Sequence, residues 1–168
     1  MNHLGINLWN WCQGLDETCI GKPTRAAQLG FTAIELPMTV SDISSELSAE
    51  IRDTGLAVTL CAAMGAGRDI SNEDPAIRSS TKKYLTECLR NGSKLGAEIF
   101  CGPLYAGGGK RHWLSPDEKK AEWERAVDGI RDIASVAADY GIKLALEPIN
   151  RYRTSVANTS GQIGRAHV

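Results

Sequence analysis

Few side chains in this sequence are arranged for chemistry, and several promising arrangements fall short. "GAGRDI" (Gly65 to Ile70) begins like a dinucleotide-binding fingerprint, but Ile70 stands where the third glycine belongs. "LYAGGGKR" (Leu104 to Arg111) has the outline of a phosphate loop. There Leu104 occupies the first glycine's place, and Arg111 follows the lysine where Ser or Thr must bind magnesium. The three histidines share no ligand spacing. Two acids remain, Glu35 in "AIELP" and Glu147 in "ALEP", each closing an apolar run. Side chains alternate along a strand, so Ala33 and Glu35 share one face and Ile34 and Leu36 the other. Ala145 and Glu147 repeat the pattern against Leu144 and Leu146. A small residue and a carboxylate opposite branched apolar residues fit a barrel strand. The apolar face meets helices, and the acid reaches the C-terminal mouth, where barrel enzymes keep their chemistry. The plainer alternative is that both acids are solvated residues at strand ends.

The elements that would position these acids follow one another regularly. Strands are expected at "HLGINLW" (His3 to Trp9), "FTAIELP", "LAVTLCAAM", "AEIFCGPLY" and "IKLALEP". Helices are expected between them. One covers "KPTRAAQLG" and stops at Gly30. The next starts on Ser41 and spaces Ile43, Leu47 and Ile51 four apart on one face. A third opens on Asp74 with Pro75 at its first position, and a fourth opens with a Ser115–Glu118 capping box. Alternating strands and helices imply βαβ units and a parallel sheet, hence an α/β fold. Periodicity leaves open whether such a sheet closes into a barrel. The glycine stretch Gly107–Gly109 reads either as a flexible lid over a barrel mouth or as an ordinary surface loop. Trp123 falls on a helix and reads as packing, whereas Trp11 suits the mouth or the core equally.

Composition narrows the class. The 168 residues are 42% hydrophobic with formal net charge −1, which suits one soluble domain and argues against a nucleic-acid partner. No run approaches a membrane span, and the N-terminus lacks a signal peptide's basic region and cleavage site. The five cysteines form no C-x-x-C, and their odd number leaves one unpaired in any disulfide scheme. Free thiols in a reducing cytoplasm are the expectation.

"LALEPINRY" resembles the fifth strand of the sugar isomerase/epimerase superfamily with the xylose isomerase-like barrel, closest to the D-tagatose/D-psicose 3-epimerase group. "LGINLWNW", "LGFTAIELP", "AGRDISNEDPAIR", "LGAEIFCGPLY" and "NRYRTSVANT" add to the resemblance, in the family's order, over about Met1 to Thr159. The resemblance implies a (β/α)8 TIM barrel, here truncated to about its first five β/α units. It implies that Glu147 is both a ligand of a divalent metal (manganese first, magnesium or cobalt as alternatives) and one of two catalytic acid/base carboxylates. It further implies a small-molecule sugar substrate and a homo-oligomeric full-length protein. Asn7 and Trp11 match mouth residues, and Cys61 and Gly102 match substrate-lining positions. Cys61 reads equally as a core thiol, and Gly102 as a turn glycine. Where these epimerases carry a second glutamate, six residues after the first, this chain has Arg153. A cation donates where a carboxylate accepts, which points to an acidic or phosphorylated sugar; a solvated loop residue is the alternative.

The family's other ligands, an aspartate, a histidine and the second catalytic glutamate, come from later strands. The last residues, "IGRAHV" (163–168), resemble a translated sequencing adaptor, so residues 1–162 are expected to be the N-terminal part of a longer barrel. The polypeptide as written is expected to be inactive. Alternatives on the same fold are a hydroxypyruvate isomerase-like or sugar-phosphate isomerase activity, an endonuclease IV-like site and a non-catalytic barrel. The endonuclease reading needs histidine ligands and a basic face, against Glu35-Leu36-Pro37 at strand two and a charge of −1.

Overall fold

The computed structural model describes residues 4–38, 42–65, 67–110, 113–159 and 161–162. His3, Ser41, His112, His167 and the segment 163–168 lie outside the described residues. Five strands alternate with four α-helices: β1 (Gly5–Asn7), α1 (Lys22–Gln28), β2 (Ala33–Pro37), α2 (Ser45–Asp53), β3 (Ala57–Cys61), α3 (Pro75–Ser93), β4 (Ile99–Gly102), α4 (Pro116–Asp139) and β5 (Lys143–Leu146). The strands form one parallel sheet in the order β1-β2-β3-β4-β5.

The chain's local signals produce these elements. Asp74 caps α3 by accepting from the Ala76 amide, with Pro75 in the first turn, where its missing N–H costs nothing. Ser115 and Glu118 form the expected capping box at α4. In α2 the cap is Ser44, whose side chain accepts from the Leu47 amide, so the helix begins later than the Ser41 reading placed it. Leu47 and Ile51 still face the core, and Ile43 packs against it from the preceding turn.

One face of the sheet is dry. Ile34, Leu36, Leu60 and Phe100 are fully buried against Leu85, Leu89 and Ile133 of the helices. The opposite face carries Asn7, Glu35, Thr59, Ile99 and Lys143 in one register row. Ile99 stands 37% exposed there, a large apolar side chain on the concave side of a βαβ sheet.

The cysteine expectation is corrected. Cys12 and Cys19 form a disulfide, leaving Cys61, Cys88 and Cys101 free. A short 3-10 turn at Glu17–Cys19 brings the two Cα atoms to 5.7 Å, inside the bridging range. Their spacing matches no short cysteine motif, so the pairing could not be read along the chain. Among the described residues no helix is long and apolar enough to cross a membrane.

Candidate active site

The C-terminal ends of the strands surround a cavity of about 450 Å³. Asn7, Cys61, Gly102, Glu147 and Arg153 all line it, joined by Glu35. Five of the six site candidates read from the sequence thus share one space. The sixth, Trp11, does not line it. Its ring meets Phe31 edge-on at 6.5 Å and packs against the core, and the tryptophan at the cavity is Trp9. The chain turns into a 3-10 helix at Leu8–Asn10 directly after β1, which redirects the two rings.

Asn7 organises the first wall. Its side-chain oxygen accepts from the Trp9 amide at 2.8 Å, capping that turn. Its Nδ2 donates to Glu35 Oε1 at 2.7 Å and lies 3.4 Å from Cys61 Sγ. Glu35 Oε2 accepts from the Cys101 thiol at 3.0 Å. Both oxygens of Glu35 are therefore engaged by neighbours across the sheet. Burial, then the Glu35 charge, pushes the Cys61 thiol up to about 12. Cys101 is pushed to about 12 by burial and by its hydrogen bond to Glu35. Both remain neutral thiols at ordinary pH, shaping the wall rather than acting as nucleophiles.

Glu147 stands one residue past β5 and is exposed. Its amide donates to the Gly102 carbonyl at 3.0 Å, extending the β4–β5 ladder. Gly102 has φ +133°, and a Cβ there would meet the Ala62 carbonyl oxygen at 2.5 Å, so only glycine fits. Tyr105 fixes the next stretch. Its hydroxyl lies 3.1 Å from the Glu147 carbonyl and accepts from the Ile149 amide at 3.2 Å. Burial raises the Tyr105 pKa, keeping the hydroxyl a donor. Sequence reading overlooked Tyr105, because a tyrosine closing "GPLY" looks like any strand-end aromatic. The backbone of Glu147 is held from both sides, while among the described residues its carboxylate has no hydrogen bond or ion pair.

The glycine stretch is tied to its neighbours. Gly107 donates to Asp69 Oδ1 at 3.2 Å, Gly108 to the Met64 carbonyl at 2.8 Å and Gly109 to the Arg153 carbonyl at 2.8 Å. A Cβ on Gly107 would meet Asp69 Cβ at 2.9 Å, and Gly109 has φ +94°. Close approach explains Gly107 and a left-handed turn Gly109, at a stretch the sequence left open between a flexible lid and an ordinary surface loop.

The arrangement offers one open carboxylate, one guanidinium and neutral polar groups around a space that suits a small polar molecule. Among the described residues no three His, Cys, Asp or Glu side chains come together to hold a metal.

Comparison with known proteins places the fold. The family model described as a xylose isomerase-like TIM barrel matches residues 23–166. A D-psicose 3-epimerase of Ruminiclostridium cellulolyticum is 31% identical over 145 residues, 81% of this chain and 48% of that protein. One from Agrobacterium fabrum is 31% identical over 147 residues, covering 82% and 49%. The crystal structure of D-psicose 3-epimerase with D-tagatose from Clostridium cellulolyticum H10 superposes with a TM-score of 0.83 at 29% identity, covering 99% of this chain and 60% of that one. The chain spans about half the length of the curated relatives it matches. Its five parallel strands with α-helices between them, and the family match over most of its length, place this chain in the xylose isomerase-like TIM barrel family.

Proposed function

We propose that this chain forms the first five strands, with the four helices between them, of a ketose 3-epimerase barrel, with Glu147 as a proton-transferring carboxylate. The observation that carries the reading is Glu147 itself. Its carboxylate is open at the C-terminal end of β5, while its backbone is held by Gly102 and Tyr105. The 3-epimerase names of the relatives support the substrate class.

The chemistry asked of the residue is modest in kind and demanding in placement. A ketose hydrogen beside the carbonyl is a very weak acid, so a base must sit within hydrogen-bond reach of it. Glu147 can accept that proton from one face. Returning it to the other face needs a second carrier, and Glu35, with both oxygens bonded, is not free for that task in this arrangement. A divalent metal, manganese foremost, would polarise the carbonyl and so make the proton more acidic. The described residues do not by themselves fit such a metal. They supply Glu147 as one oxygen donor. On this reading residues 1–168 alone are inactive.

Arg153 favours a second reading within the class. It lines the same cavity, and a guanidinium there suits a phosphorylated or otherwise acidic sugar.

The test begins with the source DNA, read past Gln162, and expression of the whole frame with manganese. A panel of plain and phosphorylated ketoses is then assayed for C3 epimerisation. Glu147→Gln should lower turnover by about 10²–10⁴-fold. Unchanged turnover in that variant, or a complete protein inert on every ketose, sinks the reading. Arg153→Glu should weaken only the acidic substrates. Equal improvement on plain and phosphorylated ketoses would remove Arg153 from the site.

A further inference from the structure

Lys110 ends the glycine stretch with its ammonium turned inward. Its Nζ lies 2.8 Å from Asp69 Oδ2, 2.5 Å from Glu122 Oε1 and 2.9 Å from Ser71 Oγ. Asp69 and Glu122 are only 4% and 3% exposed. Asp69 Oδ1 also accepts from the Ser71 amide, the Ser71 hydroxyl and the Gly107 amide. Asn72 Nδ2 donates to Asp69 Oδ2 at 3.1 Å. Glu122 Oε2 accepts from Ser155 Oγ at 2.7 Å. One cation thus joins the loop after β3, the loop after β4, helix α4 and the loop after β5.

Such a cluster is a poor device for stability alone. Burying three charges carries a desolvation cost that pairing must first repay, and apolar side chains of similar volume often serve as well. What charges do provide is fixed geometry, because each partner must stay within bonding distance. Here the geometry leads to the cavity. Lys110 sets the glycine stretch, Gly109 holds the Arg153 carbonyl, and Arg153 lines the cavity.

We propose that Lys110 is a positioning residue, its ammonium between Asp69 and Glu122 fixing the glycine loop so that the Gly109 amide holds Arg153 at the cavity edge. The proposal rests on the reading of Arg153 as a substrate-binding group.

The test uses the complete protein and two variants. Lys110→Met leaves two buried carboxylates facing each other and risks misfolding. Lys110→Met combined with Glu122→Gln removes the carboxylate that Lys110→Met would orphan, and Asp69 keeps its four amide, hydroxyl and side-chain donors. Lys110→Arg serves as the conservative control. Amide hydrogen exchange is followed in the segments 107–109 and 150–154. In the double variant it should speed about tenfold or more in both segments and stay unchanged in α3. KM for a phosphorylated ketose should rise about tenfold while kcat for a plain ketose holds within about twofold, and Lys110→Arg should recover much of the KM. Unchanged exchange in 150–154 overturns the proposal, whatever the activity. Faster exchange with kcat falling alike on plain and phosphorylated ketoses also overturns it, since that is a structural loss. If the wild-type protein acts on no ketose, the functional reading falls, and the exchange result alone decides whether the clamp exists.

Discussion

Cys61 and Cys101 are Cα partners on adjacent strands, and both contact the Asn7–Glu35 pair. Their thiols titrate near 12 in the fold, against about 9 in an unfolded chain. A group whose pKa is raised by folding contributes stability below its unfolded value and loses it as pH climbs towards the folded one. Thermal unfolding should therefore show a lower Tm at pH 10.5 than at pH 8. Replacing both cysteines by alanine should flatten that fall; an equal fall in the double variant would assign the loss elsewhere. Asn7 is the other residue whose removal reads directly. Asn7→Ala strips Glu35 of a donor and the Leu8–Asn10 turn of its cap, at a cost of about 1–3 kcal/mol by urea unfolding. The acids at the two strand ends were visible in the sequence, but their difference was not. Glu35 and Glu147 each follow an alanine and a branched apolar residue, Ala33-Ile34 and Ala145-Leu146. Only the partners across the sheet, Asn7 and Cys101, show that one is engaged and the other open.

At the scale of elements, the helices and strands carry their own instructions. Ser115→Ala should lower stability by about 1 kcal/mol, since it removes the side-chain half of the α4 capping box. Gly129 tells a different story within the same helix. A Cβ there would meet Ile70 Cγ1 at 2.5 Å, so Gly129→Ala should cost about 1–3 kcal/mol despite alanine's better helix propensity. A stabilised Gly129→Ala in thermal melts would show that Ile70 yields. These two positions mark what a linear reading can reach. Caps depend on residues three apart, and apolar faces repeat every three or four, so both were legible. Gly129 depends on Ile70, which arrives from the loop after β3. The tie of Gly107, Gly108 and Gly109 to Asp69, Met64 and Arg153 is likewise invisible until distant loops converge. The start of α2 was placed too early because Ser41 precedes Ile43, Leu47 and Ile51, whereas the Leu47 amide bonds to Ser44, a choice that only the backbone's path reveals.

For the whole molecule, two solution measurements follow from the covalent and ionic links. Thiol titration of the unreduced, denatured chain should find three free thiols, Cys61, Cys88 and Cys101; five would dissolve the Cys12–Cys19 bridge. Acid should act through Asp69, whose pKa stays below its usual 3.8 despite burial, because Lys110 and Ser71 bond the charged form. A pKa lowered by folding contributes stability above the unfolded value and loses it as pH falls through the folded one. Stability should therefore decline as pH drops below about 3.8, and Asp69→Asn should blunt that decline.

The sheet order also repeats the order of the chain, β1-β2-β3-β4-β5. On the ribosome, every strand after the first emerges to find its pairing partner already made. No strand waits for a later segment to be inserted beside it, so the growing sheet always has its next docking edge at its most recently synthesised strand. Assembly in step with translation keeps the sequence separation of each pairing to one βαβ unit, which limits the loop-closure entropy met at every step. A nascent chain halted after α2, α3 or α4 would hold two, three or four strands, each beside the strand made just before it.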